Sequence, residues 1–370
     1  MANINLSAAV RSNLSSLQNT ATLMSKTSDR LSTGNKVNSA LDNPTNFFTA
    51  SSLNSRAGDL NNLMDSMANG IKTIEAADNG LSAITKNLEA MQSTLRQARQ
   101  DKSFETKSFT IDTTTAGNIS FIGGATTGVT GTPVDVAFDA DDTVDQIVEK
   151  INTAAAEGGN IAGAVRASND DGKLRIENLS TQDLNVAGAG VTATDIEGNA
   201  VRADLALQYN ELRDQLDKLS DDASFNGINL LRGDNLKITF NETGTSSIDI
   251  QTKDEKSINS TNLGLETTLS ASDLDSDTGI DDFLDTVKSA LNSVRAQSSA
   301  FGSNLSIVQN RQDFTKSMIN TLETGAGNLT LADMNQEAAN MMALQTRQSL
   351  AQSTLSMANQ ADQGVLQLLR

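Results

Sequence analysis

The chain has 370 residues and a strongly acidic balance, with 46 Asp and Glu against 28 Lys and Arg. Its net charge of −18 makes nucleic acid and anionic membrane poor partners. Neither His nor Cys is present, which excludes Ser–His and Cys–His dyads, thiol nucleophiles and the usual zinc ligands. No catalytic, cofactor-binding or metal site is therefore expected.

The length allows two or three domains. No stretch approaches eighteen apolar residues, so no membrane insertion is expected. The first residues lack a basic segment followed by an apolar core, so a cleaved secretory signal is not expected either.

Residues 3–33 have a helical pattern. Val10, Leu17, Met24 and Leu31 recur every seven residues, with Leu14 and Ala21 at the intervening positions. The remaining positions are mostly Ser, Thr and Asn, whereas a solvated helix face usually carries Lys and Glu. A charge-poor face of this kind suggests that both sides of the helix contact protein in the working state. Gly34 supplies a helix stop, and Asn43-Pro44 an extended link.

The longest pattern runs from residue 60 to 95. Leu60, Met67, Ile74, Leu81, Leu88 and Leu95 form one heptad line, and Leu63, Gly70, Ala77, Ile84 and Met91 form the second. A helix over that run is roughly 50 Å long and needs a partner of equal length.

From 104 to 201 the heptads stop, and Gly, Thr and short β-branched runs take over. Strands are expected at 108–112, 118–122, 134–138, 163–167, 173–178 and 183–187, with Asp170-Asp-Gly172 as a hairpin turn. Residues 143–156 read as one helix, with Val144, Ile147, Val148 and Ile151 on one face and Thr143 as its cap. Asp139, Asp141 and Asp142 cluster, but they lack the spacing of a calcium-binding loop. This acidic segment reads as an inserted, solvated α+β domain.

Helix resumes at 203–219. A turn at 224–231 then leads to a hairpin with strands at 236–241 and 247–252. The partner for the long helix begins at 281. Leu284, Leu291, Leu305 and Ile319 fall on one line, and Val287, Val294, Phe301, Val308 and Leu322 on the other. Thr324-Gly-Ala-Gly-Asn328 is expected to break that helix. A last helix runs from 331, with Leu344, Ala351, Ala358 and Val365 at sevens and Met341 and Leu355 beside them, and it ends at Leu369 and Arg370. The expected fold is mainly α: a long antiparallel coiled-coil bundle formed by the N- and C-terminal regions, with a small β-hairpin region and an inserted α+β outer domain. The expected bounds are 1–44, 45–102, 104–201, 203–280, 281–325 and 330–370.

Three ordered motifs resemble those of the bacterial flagellins. Arg30-Leu-Ser-Thr-Gly-Asn-Lys-Val-Asn-Ser-Ala-Leu-Asp42 is similar to the family's R-L-S-S-G-x-R-I-N-S-A-x-D, with Lys36 and Val37 as conservative replacements. Phe225-Asn-Gly-Ile-Asn-Leu-Leu231 matches F-N-G-x-x-L-L, and the ending from Ala358-Asn-Gln to Val365-Leu-Gln-Leu-Leu-Arg370 matches the family's C-terminus. The resemblance flanks 1–102 and 203–370 and leaves 104–201 outside.

That resemblance implies a structural subunit, without enzyme activity, that polymerises into the extracellular flagellar filament and is exported without a cleaved signal. It implies an inner tube from the terminal helices, a surrounding shell from 45–102 and 203–325, and an outward insert. Implied partners are other copies of the chain, other flagellins, an export chaperone, the filament cap and the hook-associated junction proteins. Those junction proteins share the helical ends and are the alternative reading; the intact ending and the length favour the filament subunit. In some relatives a segment read by vertebrate innate receptors is L-Q-R-V-R-E-L. Here it is Leu88-Glu-Ala-Met-Gln-Ser-Thr94; the outward face of the helix around Ala90 to Thr94 is expected to carry the departure and to activate those receptors weakly.

Overall fold

The computed structural model describes residues 8–123, 133–156, 161, 163–265 and 268–368. Its helices are α1 (Ala8–Thr33), α2 (Pro44–Gln100), α3 (Val144–Ala156), α4 (Ala200–Asp222), α5 (Asp277–Thr330) and α6 (Met334–Leu368). Its strands are β1 (Thr106–Phe109), β2 (Gly117–Gly123), β3 (Val134–Phe138), β4 (Val165–Asp170), β5 (Lys173–Asn178), β6 (Leu184–Gly188), β7 (Val191–Ile196), β8 (Leu236–Thr239) and β9 (Ser247–Ile250). The chain divides into two compact units. One contains Met1–Met67, Thr239–Ser247 and Asn310–Arg370; the other contains Ala68–Ile238 and Ile248–Gln309.

In the first unit α1 packs against α6. Gly34 ends α1 with a φ of +73°, and its N–H donates to Arg30 O at 2.8 Å, a left-handed cap that a side chain would strain. The following residues bridge to the far end of the chain, with Lys36 N–H donating to Thr330 O at 2.7 Å and Ala332 N–H to Gly34 O at 2.9 Å. Helix α2 starts as its sequence dictates. Pro44 needs no donor in the first turn, and Asn43 Oδ1 accepts from Asn46 N at 3.1 Å. The start of α2 and the end of α5 share an apolar cluster of Ala57, Leu60, Ile319 and Leu322.

The break expected at residues 324–328 does not occur, because α5 continues to Thr330. Gly325 and Gly327 stay helical. A β-carbon at 325 would lie 3.6 Å from Leu53 Cδ1, and Ala326 beside it is buried, so small residues here admit α2 to close packing. The real stop is at residues 331–333, where Asp333 caps α6 by accepting from Asn335 N at 2.9 Å.

In the second unit, the remainders of α2 and α5 run antiparallel. Asp78 meets Ser298, Glu89 meets Arg295, and Arg99 meets Asp281. Two glycines of α2 make room for other elements. A β-carbon at Gly70 would lie 2.4 Å from Ile238 Cδ1, and one at Gly80 would lie 2.6 Å from Ala223 Cβ and 2.8 Å from Leu231 Cδ1. The gap at Gly70 in the heptad line is the seat of β8.

The segment after α2 folds around its own core. Sheets ordered β1-β5-β4 and β3-β2-β6-β7, all pairs antiparallel, enclose Ile119, Phe121, Leu174 and Ile176 with Ile147 and Ile151 of α3. Thr143 and Gln146 form a reciprocal cap on α3, Thr143 N donating to Gln146 Oε1 at 2.8 Å and Gln146 N to Thr143 Oγ1 at 3.4 Å. Asp171 and Gly172, both at positive φ, make the β4–β5 turn. Strand β7 is one the sequence reading missed, although Val-Thr-Ala-Thr-Asp-Ile carries a β-branched signal. Lys150 pairs with both Asp139 and Asp142, at 3.2 and 2.6 Å, so an ammonium holds these two carboxylates.

Candidate assembly surfaces

The long seam is buried within the subunit. Leu60, Met67, Ile74, Leu81, Leu88 and Leu95 of α2 are all buried, as are Leu291, Phe301 and Val308 of α5. Leu284 and Leu305 are only half-buried, so the simple heptad line through α5 drifts off the core between Leu291 and Ile319. The second line stays inside throughout, at Val287, Val294, Phe301, Val308 and Leu322, and Gln297 and Thr315 join it. These residues serve folding of the subunit and offer little surface to another copy. Leu88 and Met91 are buried as their heptad positions require, but the outward reading around 90–94 is corrected: Thr94 is buried, Ala90 and Gln92 are half-buried, and only Ser93 is exposed.

The terminal helices differ. On α1, Val10 is buried and Leu17, Met24 and Leu31 are half-buried, but Leu14 and Ala21 face outward. The intervening positions are filled by Thr20 and Thr27. Thr20 Oγ1 donates to Ser16 O at 2.8 Å, which satisfies its hydroxyl and frees its methyl to pack. On α6, Leu344 is buried and Leu355 half-buried. Val365 lies within α6, while Leu369 and Arg370 lie outside the described residues. One charged pair sits in the α1–α6 contact, where Arg30 Nη1 donates to the buried Glu337 Oε1 at 3.0 Å.

Around that narrow seam, large apolar side chains stand bare. Leu23 is 51% exposed, Met342 66% and Leu350 62%, and Leu41 in the link after α1 is 97% exposed. Exposed leucines are ordinary one at a time on a protein surface; here they stand on elements poor in charge.

A second feature lies inside the second unit, where the chain enters and leaves the α+β segment. Arg202, two residues into α4, is fully buried. Its guanidinium donates to Leu274 O at 2.8 Å, Asp275 O at 3.0 Å, Asp101 O at 3.0 Å and Asp277 Oδ1 at 3.1 Å, and it lies 5.2 Å from the Phe104 ring centroid. Asn199 caps α4, accepting from Arg202 N at 3.0 Å and donating to Asp101 Oδ1 at 2.6 Å. Asp275 accepts from Thr181 N at 2.8 Å and Ser180 Oγ at 3.0 Å. One arginine thus ties both chain crossings to the start of α5. Nothing in the periodicity signals it; the only hint is a basic residue close behind a capping Asn.

These carboxylates titrate in opposite senses. The hydrogen bond from Lys102, with help from Arg202, holds Asp277 below its ordinary value of 3.8 against partial desolvation. Burial opposes ionisation of Asp101, but bonds from Asn199 and Ser103 outweigh it and lower its value as well. Burial raises Asp275 despite its bonds from Thr181 and Ser180. Asp277 and Asp101 therefore add stability that is whole above 3.8 and is lost as pH falls through their lower folded values. Asp275 acts in reverse. Its carboxylate is disfavoured in the fold, so the Asp275→Asn variant should lose less stability than Asp277→Asn at neutral pH. Thermal unfolding of both variants across pH checks the order.

The fold is that of a mainly α subunit whose two ends pair along a narrow apolar seam. Residues 4–122 match the model of the bacterial flagellin N-terminal helical region, and residues 284–369 match that of the C-terminal helical region, together more than half of the chain. The chain is similar to flagellin FljO of Caulobacter vibrioides, at 25% identity over 90% of this chain and 99% of the relative. It is also similar to FljK of the same species, at 29% over 54% of this chain and 67% of the relative, and to a flagellin of Brucella melitensis, at 28% over 56% and 70%. The chain belongs to the bacterial flagellin family and is a structural subunit of the extracellular flagellar filament, which self-polymerises. The N-terminal match reaches residue 122, through β1 and into β2.

Proposed function

We propose that the bare faces of α1 and α6 are the surfaces that neighbouring copies cover in the filament, and that the buried seam of α2 and α5 acts only within each subunit. The carrying observation is the exposure of Leu23, Leu41, Met342 and Leu350 on elements poor in charge. In this reading 1–44 and 330–370 form the innermost layer, 45–102, 203–280 and 281–325 the shell, and 104–201 the outer surface. The role is structural and not catalytic. Export without a cleaved signal, and docking to an export chaperone, the filament cap and hook-associated junction proteins, accord with the family and with termini that are only marginally stable alone. Co-assembly with other flagellins fits the same family-matched ends.

The test separates folding from assembly. Leu23→Asp and Leu350→Asp should leave the far-ultraviolet dichroism and melting of the monomer nearly unchanged, since surface substitutions alter stability within about 0.5 kcal/mol. The same variants should fail to form filaments in electron micrographs. Filaments of normal length from both would remove the proposal.

A further inference from the structure

We infer that Asn226 is a site of spontaneous deamidation and backbone isomerisation, a chemical ageing mark built into the Phe225–Ile228 turn. The chain contains three Asn-Gly steps, at 69–70, 79–80 and 226–227. Gly is the residue whose backbone nitrogen most easily reaches the preceding amide carbon, because no β-carbon obstructs it. The reaction needs that nitrogen free.

The first two steps lie inside α2, where the i to i−4 ladder engages each glycine N–H and holds the backbone helical. Gly70 and Gly80 are further closed in by Ile238 and Leu231. The third step is open. Asn226 and Gly227 are both exposed, and nothing lies within 4 Å of where a β-carbon on Gly227 would stand. Phe225 N donates to Ile228 O at 2.9 Å and Ile228 N to Phe225 O at 3.0 Å, closing a two-residue turn. Its central residues have φ of +52° and +82°, as a type I′ turn requires. In that turn the N–H of the second central residue has no partner, and among the described residues Gly227 N has none.

The chemistry balances with water alone. Gly227 N attacks the Asn226 side-chain carbonyl carbon, a C–N bond forms, and the amide nitrogen leaves as ammonia to give a cyclic imide. Water then opens the imide at either carbonyl, yielding an ordinary α-linked aspartate or its β-linked isomer; each adds one negative charge. The α-linked product keeps the backbone, and aspartate tolerates positive φ nearly as well as asparagine. The β-linked product inserts an extra backbone carbon into a turn with no slack. The nearby Asn229 donates to Ser220 O at 2.8 Å and Asp221 O at 2.9 Å, and accepts from Leu231 N at 2.9 Å. Leu230 and Leu231 are fully buried, so the damage sits beside an anchor of the second unit.

The full chain is to be incubated folded, and in parallel in concentrated urea, in mildly alkaline buffer. Peptide mapping with electron-transfer fragmentation then distinguishes the α-linked from the β-linked form. In the folded chain Asn226 should convert at least roughly tenfold faster than Asn69 and Asn79, and urea should erase that difference. The β-linked fraction should lose amide-exchange protection at residues 225–231, while the α-linked fraction keeps it. Equal rates at all three sites in the folded chain, or slower conversion at Asn226, would overturn the inference, as would undiminished protection in the β-linked fraction.

Discussion

Replacing Leu81 by Asp is expected to abolish the folded subunit, and with it any filament. Leu81 has no exposed surface and lies mid-way along α2, flanked on its own face by the equally buried Ala77, Ile84 and Leu88. An aspartate there meets no cation among the described residues, since the ion pairs of this stretch are peripheral, such as Glu89 with Arg295. Removing a core leucine alone costs about 2–5 kcal/mol, and burying an unpaired carboxylate adds several more. Against a domain stability of about 5–15 kcal/mol the sum is decisive. Leu305→Asp is the comparison. Half-buried, it lets the carboxylate reach water, and a loss of only about 1–2 kcal/mol is expected. Urea melts of both monomers check the contrast; equal destabilisation would mean that the two helices share a different seam.

Arg202→Ala should be the most damaging single change outside the apolar seam. It strips hydrogen bonds from the carbonyls of Leu274, Asp275 and Asp101 and a charge partner from Asp277, and leaves a void beside Phe104. Removing one partner from a buried charged network costs about 3–5 kcal/mol. Lys102 at 2.9 Å still serves Asp277, so the loss falls chiefly on the three carbonyls. Arg202→Met fills the void without the donors and should recover only part of the stability. Melting temperatures of the pair, with amide exchange at residues 101–104, 178–182 and 274–277, measure it. Full recovery in the Met variant would show that volume, not hydrogen bonding, fixes the junction.

Much of this was legible in the residues, because helix periodicity repeats over many turns. The α2 line from Leu60 to Leu95 is buried at every heptad position. The reading failed where one local signal met a tertiary contact. The glycines at 325 and 327 carry breaker propensity of about 1 kcal/mol each, yet both stay helical where Gly325 packs near Leu53 and Gly327 near Leu331. On α1, apolarity pointed to Leu14 and Ala21, yet Thr20 and Thr27 took the inner positions, the Thr20 hydroxyl turning back onto the helix. Arg202 was illegible, because its partners lie about a hundred residues before it and seventy after it. The outward leucines of α1 and α6 were visible only once the inner positions were known.

The central claim is that neighbouring copies cover those outward faces. Helical reconstruction of the native filament by electron cryomicroscopy, at side-chain detail, tests it most directly. The account predicts Leu23, Met342 and Leu350 buried between copies, with Leu81 and Leu88 contacting only their own chain. Leu23 and Leu350 facing solvent in the filament, with copies joined through other surfaces, would contradict it.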